Sequence, residues 1–225
     1  MRIIILIATM SLLLFMGCTA TEEYVKVEIS ETGMTQLVSK AAMDWLNQGS
    51  QLYNKGSKES ALLCYDKAIE LDPSFASPFI SKGICLESMG RYDEALKAYD
   101  EAIQVNPLSS GVWNAKGELL QDQGKYDEAI KAYNISIELD PDYAYTWINK
   151  GSILGRNGMY QEAIKCFDEA IKCYDADHMK KPKHMSDPKD AKTAWYNKGI
   201  ALKALGNDSE ANAAFDKAKE LGYEG

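Results

Sequence analysis

The chain has 225 residues, 46% hydrophobic and 26% charged, with a net charge of -8. That is room for one substantial domain or a small repeat array of ordinary globular composition. The negative balance, with no basic patch interleaved with aromatics, argues against a nucleic-acid partner, because neutralising phosphates needs a basic face.

At the N-terminus Met1-Arg2 supplies a short positive end, and Ile3 to Met16 is an uncharged, mostly apolar run of 14 residues. A helix needs about 20 residues to span a hydrocarbon core of about 30 Å, so this run suits the apolar region of a signal peptide over 1–17. It ends in Phe15-Met16-Gly17-Cys18, and polar Thr19-Ala20-Thr21-Glu22-Glu23 follows. The junction resembles the lipobox of prokaryotic lipoproteins, in which a small residue precedes a cysteine that is lipidated and becomes the new N-terminus. Gly17 and Cys18 fit that pattern, whereas Phe15 stands where an aliphatic residue is usual. The resemblance implies an exported protein anchored to the cell membrane through Cys18, with net charge moving from -8 to -9 as Arg2 is lost. An uncleaved anchor, or a signal peptide with a chance cysteine, fits the same run. Residues 18–33 read as a linker in which Tyr24, Val25, Val27 and Ile29 are briefly extended.

From residue 34 the chain becomes periodic. Met34, Leu37, Val38, Ala41, Ala42 and Trp45 form one apolar stripe at helical spacing, which predicts a first helix that begins early and sheathes one end of the array. Glycines at 49, 83, 117 and 151 then stand 34 apart, and their local pattern returns at Gly199. A period of this length means stacked copies of one supersecondary unit. The first unit runs Trp45, Gly49, Leu52, Gly56, Ala61, Tyr65, Ala68 and Pro73. The next three place Phe79, Trp113 and Trp147 at its head, and the fifth Trp195; Ser136 replaces the last alanine in the third.

Each position has a mechanical reason. Trp/Phe, Gly and Leu at i, i+4 and i+7 share one helix face. A mid-helix glycine costs about 1 kcal/mol relative to alanine, so its return in every unit predicts close approach of another helix. The second glycine caps that helix, and Ala, Tyr/Phe and Ala form the inner face of a second one. Asp-Pro or Asn-Pro then stops it, proline being tolerated in the first turn of the next. Apolar pairs such as Leu62/Ile69 and Ile164/Ile171 recur on the second helices, but the fifth unit carries Asn212 and Lys219 instead. A stacking face turned polar marks a terminal repeat.

These units resemble the tetratricopeptide repeat family. The resemblance implies an all-α, right-handed superhelical α-solenoid of five helix-turn-helix repeats over 34–222, at about 42–75, 76–109, 110–143, 144–175 and 188–222. It also implies a monomeric array that binds a protein or peptide along the wall of first helices. In family members that hold acidic C-terminal peptides, that wall carries a lysine-asparagine clamp. No window of three repeats reproduces it; the third to fifth offer Asn114, Glu118, Asn149, Thr193 and Asn197 without the lysines. Asn47, Asn149 and Asn197 share one position in their units, and amides there can bond a partner's backbone or simply face water. A structural subunit of an envelope or pilus assembly is the alternative role.

Between the fourth and fifth units an insertion at about 175–187 adds 13 residues between Ala170 and Pro188. It holds both histidines, His178 and His184, but a charged loop fixes no coordination geometry, so no metal or other cofactor is expected. Ser186-Asp187-Pro188 restarts a helix. Cys64, Cys85, Cys166 and Cys173 are expected as buried thiols; the last two lie about 10 Å apart along one helix, beyond disulfide reach. Of two Asn-x-Ser sequons, Asn207 falls in a turn and is the more accessible. No phosphate-binding glycine loop, catalytic histidine or nucleophile elbow accompanies the repeats, so an enzyme is not expected.

Overall fold

The computed structural model describes residues 24–29, 34–179 and 188–224. Two strands, β1 (Tyr24–Ile29) and β2 (Met34–Ser39), precede ten helices among those residues. The helices pair in chain order: α1 (Lys40–Asn54) with α2 (Lys58–Leu71), α3 (Ala76–Ser88) with α4 (Tyr92–Val105), and α5 (Ser110–Asp122) with α6 (Tyr126–Leu139). Then α7 (Ala144–Arg156) packs on α8 (Tyr160–Met179), and α9 (Pro188–Ala204) on α10 (Asp208–Glu220). The result is an all-α repeat solenoid with a β-hairpin at its head.

The two glycines of each repeat do different work. An added Cβ on Gly49, Gly83, Gly117, Gly151 or Gly199 would stand 2.4–2.7 Å from a ring carbon of Tyr65, Tyr99, Tyr133, Phe167 or Phe215. What the mid-helix glycine admits is therefore the aromatic ring of its own second helix, closer than any side chain allows. The second glycine has φ between 73° and 83° in all five units and nothing near its missing side chain. It turns the chain so that the next N–H reaches back five residues to the motif leucine, as in Ser57 to Leu52, Arg91 to Leu86 and Lys125 to Leu120, each at 2.9 Å.

Repeats are joined by polar as well as apolar contacts. Trp113 and Trp147 donate their indole N–H to the carbonyls of Pro107 and Pro141, at 3.1 and 2.9 Å, so the tryptophan stitches its repeat to the preceding turn. Lys82, Lys116 and Lys198 reach back to Asp66, Asp100 and Asp168 at 2.5–2.7 Å. At the third boundary Asn134 stands in the aspartate position, and the buried Ser136 hydroxyl donates to the Ser110 carbonyl at 2.9 Å and lies 3.2 Å from Thr146 Oγ1. Asp72 shows why an acid precedes the proline: Oδ1 takes the Ser74 N–H at 3.1 Å, an Asx turn, while Oδ2 takes the Ser39 N–H at 3.0 Å.

The head of the array differs from the sequence expectation. Residues 34–39 are not helical; β2 pairs antiparallel with β1, Tyr24 opposite Ser39 and Ile29 opposite Met34, and α1 starts at Lys40. A stripe at i, i+3 and i+4 cannot exclude a strand in its first six residues. The alternating β-branched Tyr24-Val-Lys-Val-Glu-Ile upstream supplies the partner that decides it. Val38 and Ala42 are both buried in the first core, so the sheathing role holds, while Leu37 of the same stripe is exposed. Residues 24–29, expected to be briefly extended within the linker, are a strand paired with residues 34–39.

The other end runs as read. Asn212 and Lys219 are exposed, and α10 ends on Gly222, φ 83°, where other second helices end before a proline. Tyr223 then stacks on Tyr196, ring centroids 4.1 Å apart. In the fourth unit α8 continues to Met179, through the first part of the expected insertion and past His178, and α9 starts at Pro188 as expected. Residues 1–23, with the signal segment and Cys18, and 180–187, with His184, lie outside the described residues. Cys64, Cys85 and Cys166 are buried thiols and Cys173 is half-buried.

Candidate functional site

Helices α1 and α3, α5 and α7, and α7 and α9 approach one another directly, whereas successive second helices do not come as close. The stack bends toward its first helices, so their free faces form the inner wall. Each contributes the second residue after its Trp/Phe and the residue one turn further on, such as Asn149 and Ser152 on α7.

At the centre of this wall sits Glu118, on α5. Asn114 Nδ2 donates to its Oε2 at 3.3 Å and Asn149 Nδ2, from α7, to its Oε1 at 3.0 Å. The Tyr145 phenol, also on α7, lies beside the same carboxylate. Burial holds the Glu118 carboxyl above the usual carboxylate range, and nearby Glu87 and Asp122 push the same way, against the bonds from Tyr145 and Asn149. The Tyr145 phenol is pushed up to about 12, by burial first and then by its bond to Glu118. Among the described residues no lysine or arginine forms an ion pair with Glu118. Glu87, one repeat back, accepts from the Tyr99 hydroxyl at 2.8 Å.

Beside this cluster, between the fourth and fifth repeats, lies a hollow of about 470 Å³ lined by Ser152, Gly155, Arg156, Phe167, Ile200 and Ala204 among others. It exists because Gly155 carries no side chain where the other first helices have Tyr53, Glu87, Gln121 or Lys203. Asn197 reaches Ser152 Oγ across its mouth in a long contact of 3.5 Å.

A family model for the tetratricopeptide repeat matches residues 46–110, 80–144, 114–178 and 148–222. The chain belongs to the tetratricopeptide repeat family. Solved structures agree with the fold of this tetratricopeptide protein. MamA from Desulfovibrio magneticus RS-1 superposes with a TM-score of 0.67 at 18% identity, over 82% of this chain and 96% of that one. YrrB, described as a TPR protein with an unusual peptide-binding site, gives 0.62 at 24% identity, over 80% and 86%. PilF of Pseudomonas aeruginosa gives 0.67 at 18%, over 83% and 78%. No curated protein sequence matches the chain.

Of the groove residues read from sequence, the fold brings Asn114, Glu118 and Asn149 into one hydrogen-bonded cluster and places Asn197 on the adjoining hollow. Asn47 is exposed on α1, two repeats away, and Thr193 is half-buried at the start of α9. The Asn149 and Asn197 amide nitrogens face the preceding repeat, which leaves their carbonyl oxygens as acceptors. Sequence reasoning passed over Tyr145, Ser152, Gly155, Ile84 and Ile200. Ser152, Ile84 and Ile200 occupy the Glu118 position of their own repeats, so extending the register by one more column finds them.

The Glu118 environment makes a testable contribution to stability. Its folded form keeps a proton to higher pH than the unfolded chain does, so stability falls as pH rises from the ordinary carboxylate value through that of Glu118. Thermal denaturation of Glu118→Gln and the parent between about pH 4 and pH 8 is therefore expected to show the variant gaining on the parent as pH rises. Parallel curves would remove the argument.

Proposed function

We propose that this protein is a membrane-tethered interaction scaffold which holds an extended segment of a protein partner along its inner wall. The observation that carries the reading is the Glu118 cluster: a largely buried carboxylate, two amide donors and an adjoining open hollow, on the face that the repeat architecture curves around. A fold alone needs none of these, and burying a carboxylate opposes stability. YrrB, described as having a peptide-binding site, shows the same fold.

The tether is the lipid on Cys18, joined to the array by a linker that leads into the hairpin. Such a chain is exported and anchored outside the cytoplasmic membrane, the repeats facing the compartment where the partner resides. Cys18→Ser is expected to move the protein from the membrane to the soluble fraction on cell fractionation, and unchanged membrane retention would refute the lipid anchor. The groove has its own test. Leucine at Gly155 fills the hollow without backbone strain, since the added Cβ meets only Ala163 at 3.8 Å. Gly155→Leu should reduce partner recovery in co-purification, with the circular dichroism spectrum unchanged, while Leu63→Ser on α2 leaves recovery intact. Equal recovery from both variants would reject the inner wall.

The second reading, a structural subunit held permanently in an envelope or pilus assembly, draws on the likeness to PilF only at the level of the fold. The exposed Asn212 and Lys219 on the last helix argue against end-to-end stacking in such an assembly.

A further inference from the structure

We propose that the segment held by the inner wall carries a lysine or arginine seated on Glu118, with apolar side chains on either side that meet Ile84 and the hollow beside Ile200. This rests on the groove reading above and specifies the chemistry of its partner.

Three observations converge. The first is charge. Glu118, Glu87 and Asp122 lie on one stretch of the inner wall, and no described cation pairs with Glu118. The second is Asn114. Other repeats fill its position with Leu46, Ile80, Ile148 or Tyr196, yet here an amide stands in the core, 4% exposed, its Oδ1 enclosed and without a partner among the described residues. The amide orientation is fixed because its nitrogen is bonded to Glu118. The orphan acceptor therefore belongs to the same group that touches the carboxylate. Glu118 is met on its own wall by uncharged donors only, and a lysine ammonium brings charge-assisted ones with no acceptor of its own. The third is the flanks. Ile84 and Ile200 occupy the Glu118 position in the second and fifth repeats and are 44% and 47% exposed, apolar surface on an otherwise polar strip.

The spacing of such a segment follows from the array. Packed helices lie about 10 Å apart and an extended chain rises about 3.3 Å per residue, so one repeat spans about three residues. An apolar residue about three positions to one side of the cation reaches Ile84, and one about five or six positions to the other side reaches the hollow. Arg156 lines that hollow and no described acid pairs with it, so the cation is disfavoured there and the order of the segment is set.

The test uses the full chain in detergent and a panel of labelled peptides of this pattern, with the central position lysine, norleucine or glutamate, read by fluorescence anisotropy. Lysine is expected to bind at least about 30-fold more tightly than norleucine, the loss usual when one partner of a desolvated charge pair is removed. Glutamate peptides are expected not to bind. Glu118→Gln should bring the lysine peptide down to the norleucine affinity while keeping the parent's circular dichroism spectrum, which separates lost recognition from lost folding. Equal binding of lysine and norleucine, a preference for glutamate, or no binding by any peptide would overturn the proposal. Photocrosslinking from Ile84 in cells, run in parallel, separates the two levels. A captured partner alongside charge-indifferent peptides leaves the groove standing and rejects the cation; capture from the outer face alone rejects both.

Discussion

Alanine at Gly83 is expected to destabilise the fold by about 1–3 kcal/mol, although alanine is the better helix former by about 1 kcal/mol. The added Cβ would lie 2.4 Å from Cε1 of Tyr99. That ring is rigid and fully buried, so it cannot swing aside as a flexible surface chain would. Gly90 supplies the contrast. It has open space around it but φ of 75°, so Gly90→Ala costs only the left-handed strain, about 1–2 kcal/mol, and no packing. Urea denaturation separates the mechanisms in a Tyr99→Ala background, where the ring is gone. There Gly83→Ala should change sign and stabilise, while Gly90→Ala keeps its cost. A Gly83 effect indifferent to Tyr99 would mean that the contact is not the reason for the glycine.

Tyr99→Ala itself is expected to be the most damaging single change, at about 3–5 kcal/mol. Tyr99 is 0% exposed and fills the space between α3 and α4. Its hydroxyl also bonds Glu87 on the inner wall, so the loss reaches the groove. Because each repeat touches only its neighbours, a weakened second repeat separates the first from the remaining three. The expected signature is a broadened urea transition with a lower m-value, the mark of lost cooperativity. A sharp transition shifted only in midpoint would show that the array tolerates a weak repeat as one unit.

Much of this was legible in advance. The register of Gly49, Leu52, Gly56, Tyr65 and Pro73 gave helix pairing, caps and core, because each of those residues answers to contacts inside one repeat or with the next. The hairpin was not legible, since residues 34–39 fit helical spacing and the partner strand that decides the matter lies upstream. The site was half legible. Asn114, Glu118 and Asn149 were named from their register, but their convergence on one carboxylate depends on how far α7 approaches α5. The hollow follows from an absence, the missing side chain at Gly155, which no motif announces.

The claim on which the rest depends is that the inner wall is the binding surface. It is tested most directly by placing a photoreactive residue at Ile200, on the hollow, and at Leu63, 71% exposed on a second helix, in the full-length protein in its own cells. A discrete crosslinked species is expected from Ile200, weakening in the Glu118→Gln background, and none from Leu63. Crosslinks from Leu63 alone would contradict it.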